Sequence, residues 1–379
     1  MYDVAIVGAG PAGAAAAIAA AKAGADVLLL DRHEFPRDKV CGDGIAPQAL
    51  AVLRGLGVSN VEEGFPPIPY LNMTGPSGAK AARDLSTPVR VIPRMIFDAR
   101  LVAAAQAAGA VLRQHTVKRV ETHPDRVVLD GIEARVVIGA DGASSVVRRH
   151  LGEPPNPSGH VAIAMRGYAP HPEGARLEQR IIMSDRSWPA YAWSFPIGDG
   201  RRNVGYGQML YDGVSRAHLL DRLGKLLPDV DLDECTGLRA HHLPLSTRRP
   251  TPGRGRILLA GDALSLINPF TGEGIFYAVL SGALAGVAAA SGQADAGERY
   301  AAGLRRRLHR HLRHTSTVAR LSRYPQIIDG GIRAGGQSQE VFDAFVELGL
   351  GDGLLTPRLL ASVARSVLVG LLPGRDALR

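Results

Sequence analysis

The chain opens with an apolar run, Val4-Ala5-Ile6-Val7, that breaks at Gly8 and gives way to an alanine-rich stretch from Ala12. A second apolar run, Val27 to Leu30, stops at Asp31. Such short, uniformly apolar runs predict strands buried on both faces, and the alanine stretch between them predicts a helix packed closely on them. Gln48 to Leu56 predicts a helix, and residues 64–78, rich in Pro and Gly, predict irregular or edge structure. Arg94 to Ala108 places Ile96, Phe97, Leu101, Val102 and Ala105 on one helical face. Strand-like segments follow at 111–120 and 126–130, then a buried strand from Val136 that ends in the turn Ala140-Asp141-Gly142.

Between 161 and 208 the pattern changes. Val161 to Tyr168, Glu178 to Met183, Tyr191 to Phe195 and Arg202 to Gln208 predict short strands separated by turns, an antiparallel sheet inserted into an α/β domain. Val214 to Leu227 predicts a helix. Buried α/β character returns at Arg256 to Ala263, followed by a helix from Gly274 to Ala290. From Glu298 onward the pattern is helical, with Gly-rich breaks near 330–336 and 349–353.

At 379 residues the chain can bury a large core, and an aromatic share of only 5% favours α/β or helical architecture over all-β. Arginines carry the net charge of +8. That balance suits nucleic acid or an anionic membrane surface. No helix-turn-helix, zinc-finger or RNA-binding motif accompanies it, so no nucleic-acid partner is expected. Cys41 and Cys235 alone form no disulfide framework and fit a reducing cytoplasm. The N-terminus reads as a strand without the positive segment of a signal peptide, and no apolar stretch is long enough to span a bilayer. A cytoplasmic chain is expected, with the inner face of a membrane as a place of peripheral contact.

Four separated motifs carry candidate chemistry. In the first turn, Gly8 permits the tight bend, Gly10 lets backbone approach a pyrophosphate, and Gly13 lets helix and strand pack closely. The helix start supplies amide donors and a positive dipole end. Asp31 stands where a carboxylate accepts from a ribose hydroxyl. The second motif is the loop Lys39-Val40-Cys41-Gly42-Asp43-Gly44, and the third is Gly139 to Ser145 with Arg148 and Arg149. The fourth runs from Gly261-Asp262-Ala263 to Asn268-Pro269-Phe270-Thr271-Gly272-Glu273-Gly274. A carboxylate ending a buried strand, then a glycine-rich helix start, suits a second approach to the same extended cofactor. His241 and His242 would point to opposite faces of a strand and lack ligand spacing. They read as structural, and no metal is expected.

Together these motifs resemble the flavoprotein class that includes p-hydroxybenzoate hydroxylase. Within it the chain is similar to the geranylgeranyl reductase family, through "FPRDKVCGDG" and the aromatic segment "WPAYAWSFPIGDG". The resemblance implies a Rossmann-like FAD-binding domain (1–75, 94–155 and 255–297), an inserted β-sheet substrate domain (76–93 and 156–254) and a C-terminal helical region (298–379). It implies non-covalent FAD. Gly8, Gly10 and Gly13 would hold the pyrophosphate, Asp31 the adenosine ribose, and Arg94 would reach the pyrophosphate. Val117 would lie near the adenine and Asp262 at the pyrophosphate or ribityl chain. Gly272, Gly274 and Ile275 would present amides to the flavin edge, with Cys41 and Gly42 beside the ring. Pro11, Ala12, Arg32, Lys39 and Gly261 complete the implied contacts. Asp141 would touch FAD or a visiting nicotinamide, or else cap the next helix.

Tyr191, Trp193 and Phe195 alternate along one strand and share a face, either lining an apolar substrate cavity or filling a sheet core. Cys41 is either a redox or proton-donating group or a small residue in a crowded loop. With one dinucleotide unit, NAD(P)H or a reduced electron carrier would be a transient donor. The substrate expected is a hydrophobic small molecule. Two reactions fit: reduction of C=C bonds in a polyprenyl or related metabolite by flavin N5 hydride, or NAD(P)H-dependent monooxygenation through a C4a-hydroperoxide in secondary metabolism. Halogenation fits less well, since that class carries W-x-W-x-I-P where this chain has Tyr191-Ala192-Trp193-Ser194-Phe195-Pro196, and Lys80 is not well placed for it. A non-catalytic flavin-binding protein is the remaining reading. The arginines between Glu298 and Arg323 read as a solvated helix face. The last helix has an apolar stripe, Leu359, Leu360, Val363, Val367, Leu368 and Leu371, that suits either a membrane surface or ordinary packing. No oligomeric state is specified.

Overall fold

A computed structural model describes residues 1–184 and 190–371. Trp188 and Pro189 of the aromatic segment, and the Leu371 side chain, lie outside the described residues. The strands are β1 (Tyr2–Val7), β2 (Val27–Asp31), β3 (Gly44–Ile45), β4 (Ile68–Thr74), β5 (Lys80–Val91), β6 (Val111–Gln114), β7 (Val120–Thr122) and β8 (Val127–Leu129). They continue as β9 (Ile132–Gly139), β10 (Val161–Pro170), β11 (Glu178–Met183), β12 (Ala190–Pro196), β13 (Arg201–Met209), β14 (Thr236–Pro244), β15 (Gly253–Arg254) and β16 (Ile257–Leu259). The helices are α1 (Pro11–Lys22), α2 (Pro47–Gly55), α3 (Arg94–Ala107), α4 (Val146–His150) and α5 (Arg216–Leu226). Beyond them lie α6 (Ile275–Ala289), α7 (Ala296–Leu321), α8 (Pro325–Gln337), α9 (Gln339–Leu350) and α10 (Pro357–Leu371).

One sheet runs β15-β16-β9-β1-β2-β6, in which β16, β9, β1, β2 and β6 are parallel, and β8 and β7 extend it antiparallel from β9. Every residue of β2 is buried, as the continuous apolar run requires. On this sheet α1 is buried almost all round, and its alanines allow α6 to cross at backbone distance. A side chain on Gly282 would overlap the carbonyl of Ala12, and one on Gly286 the carbonyl of Ala16. These two helices are the ones whose N-termini face the site.

The second sheet runs β14-β10-β13-β12-β11-β4-β5-β3. It departs from expectation in three ways. Residues 64–78 are not irregular throughout: β4 is an interior strand of this sheet, although it falls within the segment expected for the cofactor domain. The sheet is not wholly antiparallel, since β11 pairs with β4 in parallel. It also recruits β14, whose exposed polar residues hide any periodicity. Pro88 is tolerated in β5 because only the two-residue β3 flanks its far end.

The C-terminal helices pack over this sheet. The expected break at 330–336 is absent, because α8 runs straight through it. Its glycines are contact points instead: a side chain on Gly330 would overlap Val367, and one on Gly336 would press on the Lys80 carbonyl at 3.1 Å. Helix α7 buries Tyr300, Leu304, Leu308, His311 and Leu312, and leaves Arg305, Arg306, Arg307, Arg310 and Arg313 in solvent. No helix among the described residues is long and apolar enough to cross a membrane.

The α1–α6 crossing makes a direct prediction. Gly282→Ala should lower the unfolding free energy by about 1–3 kcal/mol in urea denaturation. Gly303→Ala, where an added methyl meets nothing, should leave stability unchanged or raise it by up to about 1 kcal/mol.

Candidate active site

The glycine turn is forced by packing at two positions and left open at the third. Gly8 has φ +99°, and a side chain there would overlap the Ala140 carbonyl. A side chain on Gly13 would overlap the Gly8 carbonyl. Gly10 differs, since an added Cβ would find only Arg37 Nη2 at 3.6 Å and Arg94 Nη2 at 4.0 Å. The space above it opens into a cavity at the N-terminus of α1 and is bordered by two guanidinium groups. An anion such as a pyrophosphate is what a helix start and two cations accommodate there.

Both cations share one buried carboxylate. Asp98, fully buried, takes Arg94 Nε and Nη2 at 2.6 and 2.8 Å and Arg37 Nη1 at 3.1 Å. Arg37 Nη2 also lies 4.0 Å from Asp31 Oδ2, so the two guanidiniums are balanced by two carboxylates, while their Nη2 groups are the atoms nearest the space above Gly10. Asp31 Oδ2 accepts from Ala9 N at 2.8 Å and Oδ1 from His33 N at 2.9 Å, so it also fixes the turn it borders.

The Lys39–Gly44 loop runs between the sheets. Asp43 is fully buried at φ +60°. Its Oδ2 accepts from Tyr168 Oη at 2.7 Å and Asn203 Nδ2 at 2.8 Å, and its Oδ1 from Arg94 N at 3.3 Å. Burial pushes its carboxyl up to about 6, against the pull of the Tyr168 and Asn203 donors. Asn203 also donates to the Cys41 carbonyl at 2.9 Å and accepts from Trp193 Nε1 at 2.8 Å. Burial raises the Cys41 thiol, with Arg94 opposing, so it keeps its proton at neutral pH. Lys39 Nζ lies 2.6 Å from His241 Nε2. Burial and the Lys39 charge hold His241 well below the ordinary imidazole range, so its neutral ring accepts from Lys39.

Opposite the loop, Tyr191, Trp193 and Phe195 form one wall, with neighbouring ring centroids 5.9 and 6.4 Å apart. Tyr191 Oη donates to the Thr271 carbonyl. Thr271 begins the turn that delivers Gly272, Glu273 and Gly274 to the start of α6. Glu273 Oε1 accepts from Phe276 N at 2.7 Å, and burial pushes this carboxyl up to about 7. The turn is tied to the C-terminal helices. Asn268 Nδ2 donates to the Leu348 and Gly349 carbonyls at 3.1 and 3.3 Å, and Thr271 Oγ1 to Gly349 at 2.7 Å. Tyr277 Oη donates to Gly351 at 3.2 Å, and His311 Nδ1 to Gly353 at 2.7 Å.

The glycine turn, the Lys39–Gly44 loop, the aromatic wall and the Thr271–Gly274 turn border one cavity of about 1150 Å3. Every residue named from the sequence as a cofactor or substrate contact lines it except Gly13, whose place is between strand and helix. Asp141 serves the capping alternative: Oδ2 accepts from Val146 N at 2.7 Å, while its buried Oδ1 has no protein partner. Asp262 borders the cavity and no donor among the described residues reaches its carboxylate. The open cradle at Gly10, the two arginines and these carboxylate oxygens fit a dinucleotide. Among the described residues no group of His, Cys, Asp and Glu is gathered to hold a metal ion. Lys80 is exposed and does not border the cavity.

Several site residues escaped the sequence reading. Arg37, Asp43 and Glu273 lie inside motifs already quoted, where glycines and the cysteine drew attention first. Asp98 stands four residues after Arg94, a spacing that signals a helical ion pair. His241, read as structural, borders the cavity. Asn203 had no signal, because only strand register, which sets it across from Phe195, brings it within reach of Trp193 Nε1.

Residues 1–167 match the FAD binding domain family. The menaquinone reductase of Mycolicibacterium smegmatis is 33% identical over 321 residues, 76% of each chain. Digeranylgeranylglycerophospholipid reductase 1 of Methanopyrus kandleri is 33% identical over 317 residues, 75% of this chain and 79% of that one. In fold, a geranylgeranyl bacteriochlorophyll reductase-like protein of Thermoplasma acidophilum superposes with a TM-score of 0.76, covering 98% of each chain at 21% identity.

Two measurements test this site. Arg37→Ala should raise the FAD dissociation constant about 10- to 100-fold by fluorescence titration, as expected for losing a hydrogen bond to a charged group. The Glu273 carboxyl rises from 4.5 to about 7 on folding, so the folded state binds its proton more tightly across that window. Stability of the cofactor-free protein in urea should therefore fall as pH rises from 4.5 to 7, by about 3 kcal/mol from this group. Glu273→Gln should remove that part of the pH dependence.

Proposed function

The chain belongs to the geranylgeranyl reductase family of FAD-dependent oxidoreductases, and from that premise we propose that it reduces carbon–carbon double bonds of a polyprenyl or similarly long unsaturated substrate. The observation that carries this reading is the shape of the cavity. From the Tyr191–Trp193–Phe195 wall it continues under the C-terminal helices, past Ile328, Ile332, Phe345 and Val363. A long apolar chain fits such a lining, and a small polar aromatic does not need it.

Bound and reduced, FAD would supply a hydride from N5. The chain's own groups do the rest. Arg37, Arg94 and the first amides of α1 bind the pyrophosphate. The amides of Gly272 to Ile275, at the start of α6, hold negative charge at the ring edge. Trp193, fixed by Asn203, and its aromatic neighbours keep water from the reacting face. Cys41, its thiol protonated beside Arg94, delivers a proton to the second alkene carbon. The thiolate left behind faces the Arg94 guanidinium and regains its proton from solvent once product has left the cavity. Electrons come from NAD(P)H or a reduced carrier that visits the cofactor. Leu360, Leu368 and Val369, exposed on α10, support contact with a membrane face that stores such substrates.

The test is anaerobic. Photoreduced enzyme mixed with a prenylated alkene should recover oxidised flavin absorbance and yield product heavier by two hydrogens per bond reduced. Flavin that stays reduced with every such alkene, and product hydroxylated once oxygen is admitted, would make the chain a monooxygenase. Cys41→Ala should slow alkene reduction about 10²- to 10⁴-fold while reduction of the flavin by its donor is unchanged.

A further inference from the structure

Strand register decides which side chains of the second sheet face the cavity. On β11, Ile181 pairs with Trp193 and Met183 with Tyr191. Gln179, two residues earlier, points to the same side as the aromatic wall. On the other flank of β11, Gln179 pairs with Leu71 of β4 and Ile181 with Met73. Gln179 and these neighbours all border the cavity. A carboxamide is thereby set among apolar and aromatic side chains.

Gln179 is only 6% exposed, and no hydrogen bond among the described residues reaches its carboxamide. Its polar neighbours on this face are engaged within the protein. Tyr191 Oη donates to the Thr271 carbonyl and Trp193 Nε1 to Asn203, whose own amide donates to the Cys41 carbonyl and to Asp43. A buried amide without a partner is unfavourable, and folded proteins rarely keep one. An apolar residue, as at 181 and 183, would fill the place without that penalty. The amide also lies close to the Cys41 loop. From the position of a Cβ added to Gly44, Gln179 Nε2 is 3.6 Å away and the Phe195 ring 3.9 Å. The Asp43 carboxylate beside that glycine is already taken by Tyr168, Asn203 and Arg94 N.

We propose that Gln179 hydrogen-bonds a neutral oxygen of the substrate, a hydroxyl or a carbonyl, and is the residue that selects substrates carrying such a group near the reacting double bond. This rests on the reading of the substrate as a polyprenyl or similar unsaturated chain. The chemical class follows from the surroundings of the amide. A carboxamide offers a donor and an acceptor but no charge. Leu71, Met73, Ile181, Met183 and the three rings on this face bring no charge either, so a diphosphate placed against Gln179 would be uncompensated. A plain hydrocarbon would leave the amide unsatisfied.

The experiment is calorimetric binding to the oxidised, FAD-loaded enzyme of geraniol, its hydrocarbon counterpart 2,6-dimethylocta-2,6-diene, the ketone geranylacetone, and geranyl diphosphate. Gln179→Met keeps the length of the side chain and removes its hydrogen bonds. From wild type to this variant, the affinity of geraniol relative to the hydrocarbon should fall about tenfold, as for one hydrogen bond to a neutral group. The same ratio for geranylacetone shows whether a carbonyl serves as well as a hydroxyl. Geranyl diphosphate should bind wild type at least about tenfold more weakly than geraniol. Without ligand, Gln179→Met should melt no lower than wild type, because no protein contact is lost. Gln179→Leu should repeat the change in ratio and decides the matter if Gln179→Met does not fold. Ratios that stay unchanged for both the alcohol and the ketone, a lowered melting temperature, or diphosphate binding as tight as the alcohol overturns the role of Gln179 while leaving the prenyl reading intact. Wild-type enzyme that binds none of the four overturns the prenyl reading, and this proposal with it.

Discussion

Asp43 draws hydrogen bonds from both halves of the molecule: Arg94 N at the start of α3 on one side, Tyr168 and Asn203 of the second sheet on the other. A fully buried carboxylate in a left-handed backbone conformation is costly on both counts, and it persists only where its surroundings satisfy it. The return is positional. The same backbone turn sets Cys41 and Gly42 against the aromatic wall, and Asn203 ties that wall to the Cys41 carbonyl and to Trp193. Remove the carboxylate, and the cofactor side and the substrate side of the cavity lose their shared reference point.

The cofactor half was legible because its chemistry is local. A Gly-x-Gly-x-x-Gly turn between two buried strands, with Asp31 at the end of the second, is a contiguous pattern whose every glycine has a stated reason. The substrate half is assembled from distant pieces. β4 looked irregular because Pro and Gly crowd its flanks, and β14 looked like nothing because it is polar and exposed. The α8 glycines read as a break because close helix contact and helix termination favour the same residue. Asn203 and His241 became visible only through strand register and the fold of the Lys39 loop. What the sequence hid was pairing between remote segments, not residue chemistry.

The two ends of the cavity obey opposite physics within one continuous space. Around Gly10 the walls are cations and helix starts, where a charged ligand replaces water with fixed donors. Under the C-terminal helices they are apolar side chains, Ile328, Ile332, Phe345 and Val363 among them, that gain only by excluding water. The aromatic wall stands at the boundary, with Tyr191 and Trp193 each spending their polar atom on the protein and presenting ring faces to the cavity. A ligand with a polar or reactive head and an apolar tail is oriented by that gradient alone.

The bonds from Asn268, Thr271, Tyr277 and His311 to carbonyls between Leu348 and Gly353 carry a mechanical consequence. They rivet the turn that leads into α6 to the connection between α9 and α10. A hinge that lifted the C-terminal helices away as a lid would have to break these buried bonds together and drag the first amides of α6 out of register. The turn and the α9–α10 connection therefore hold one another in place, and the cavity wall is braced where it meets the start of α6.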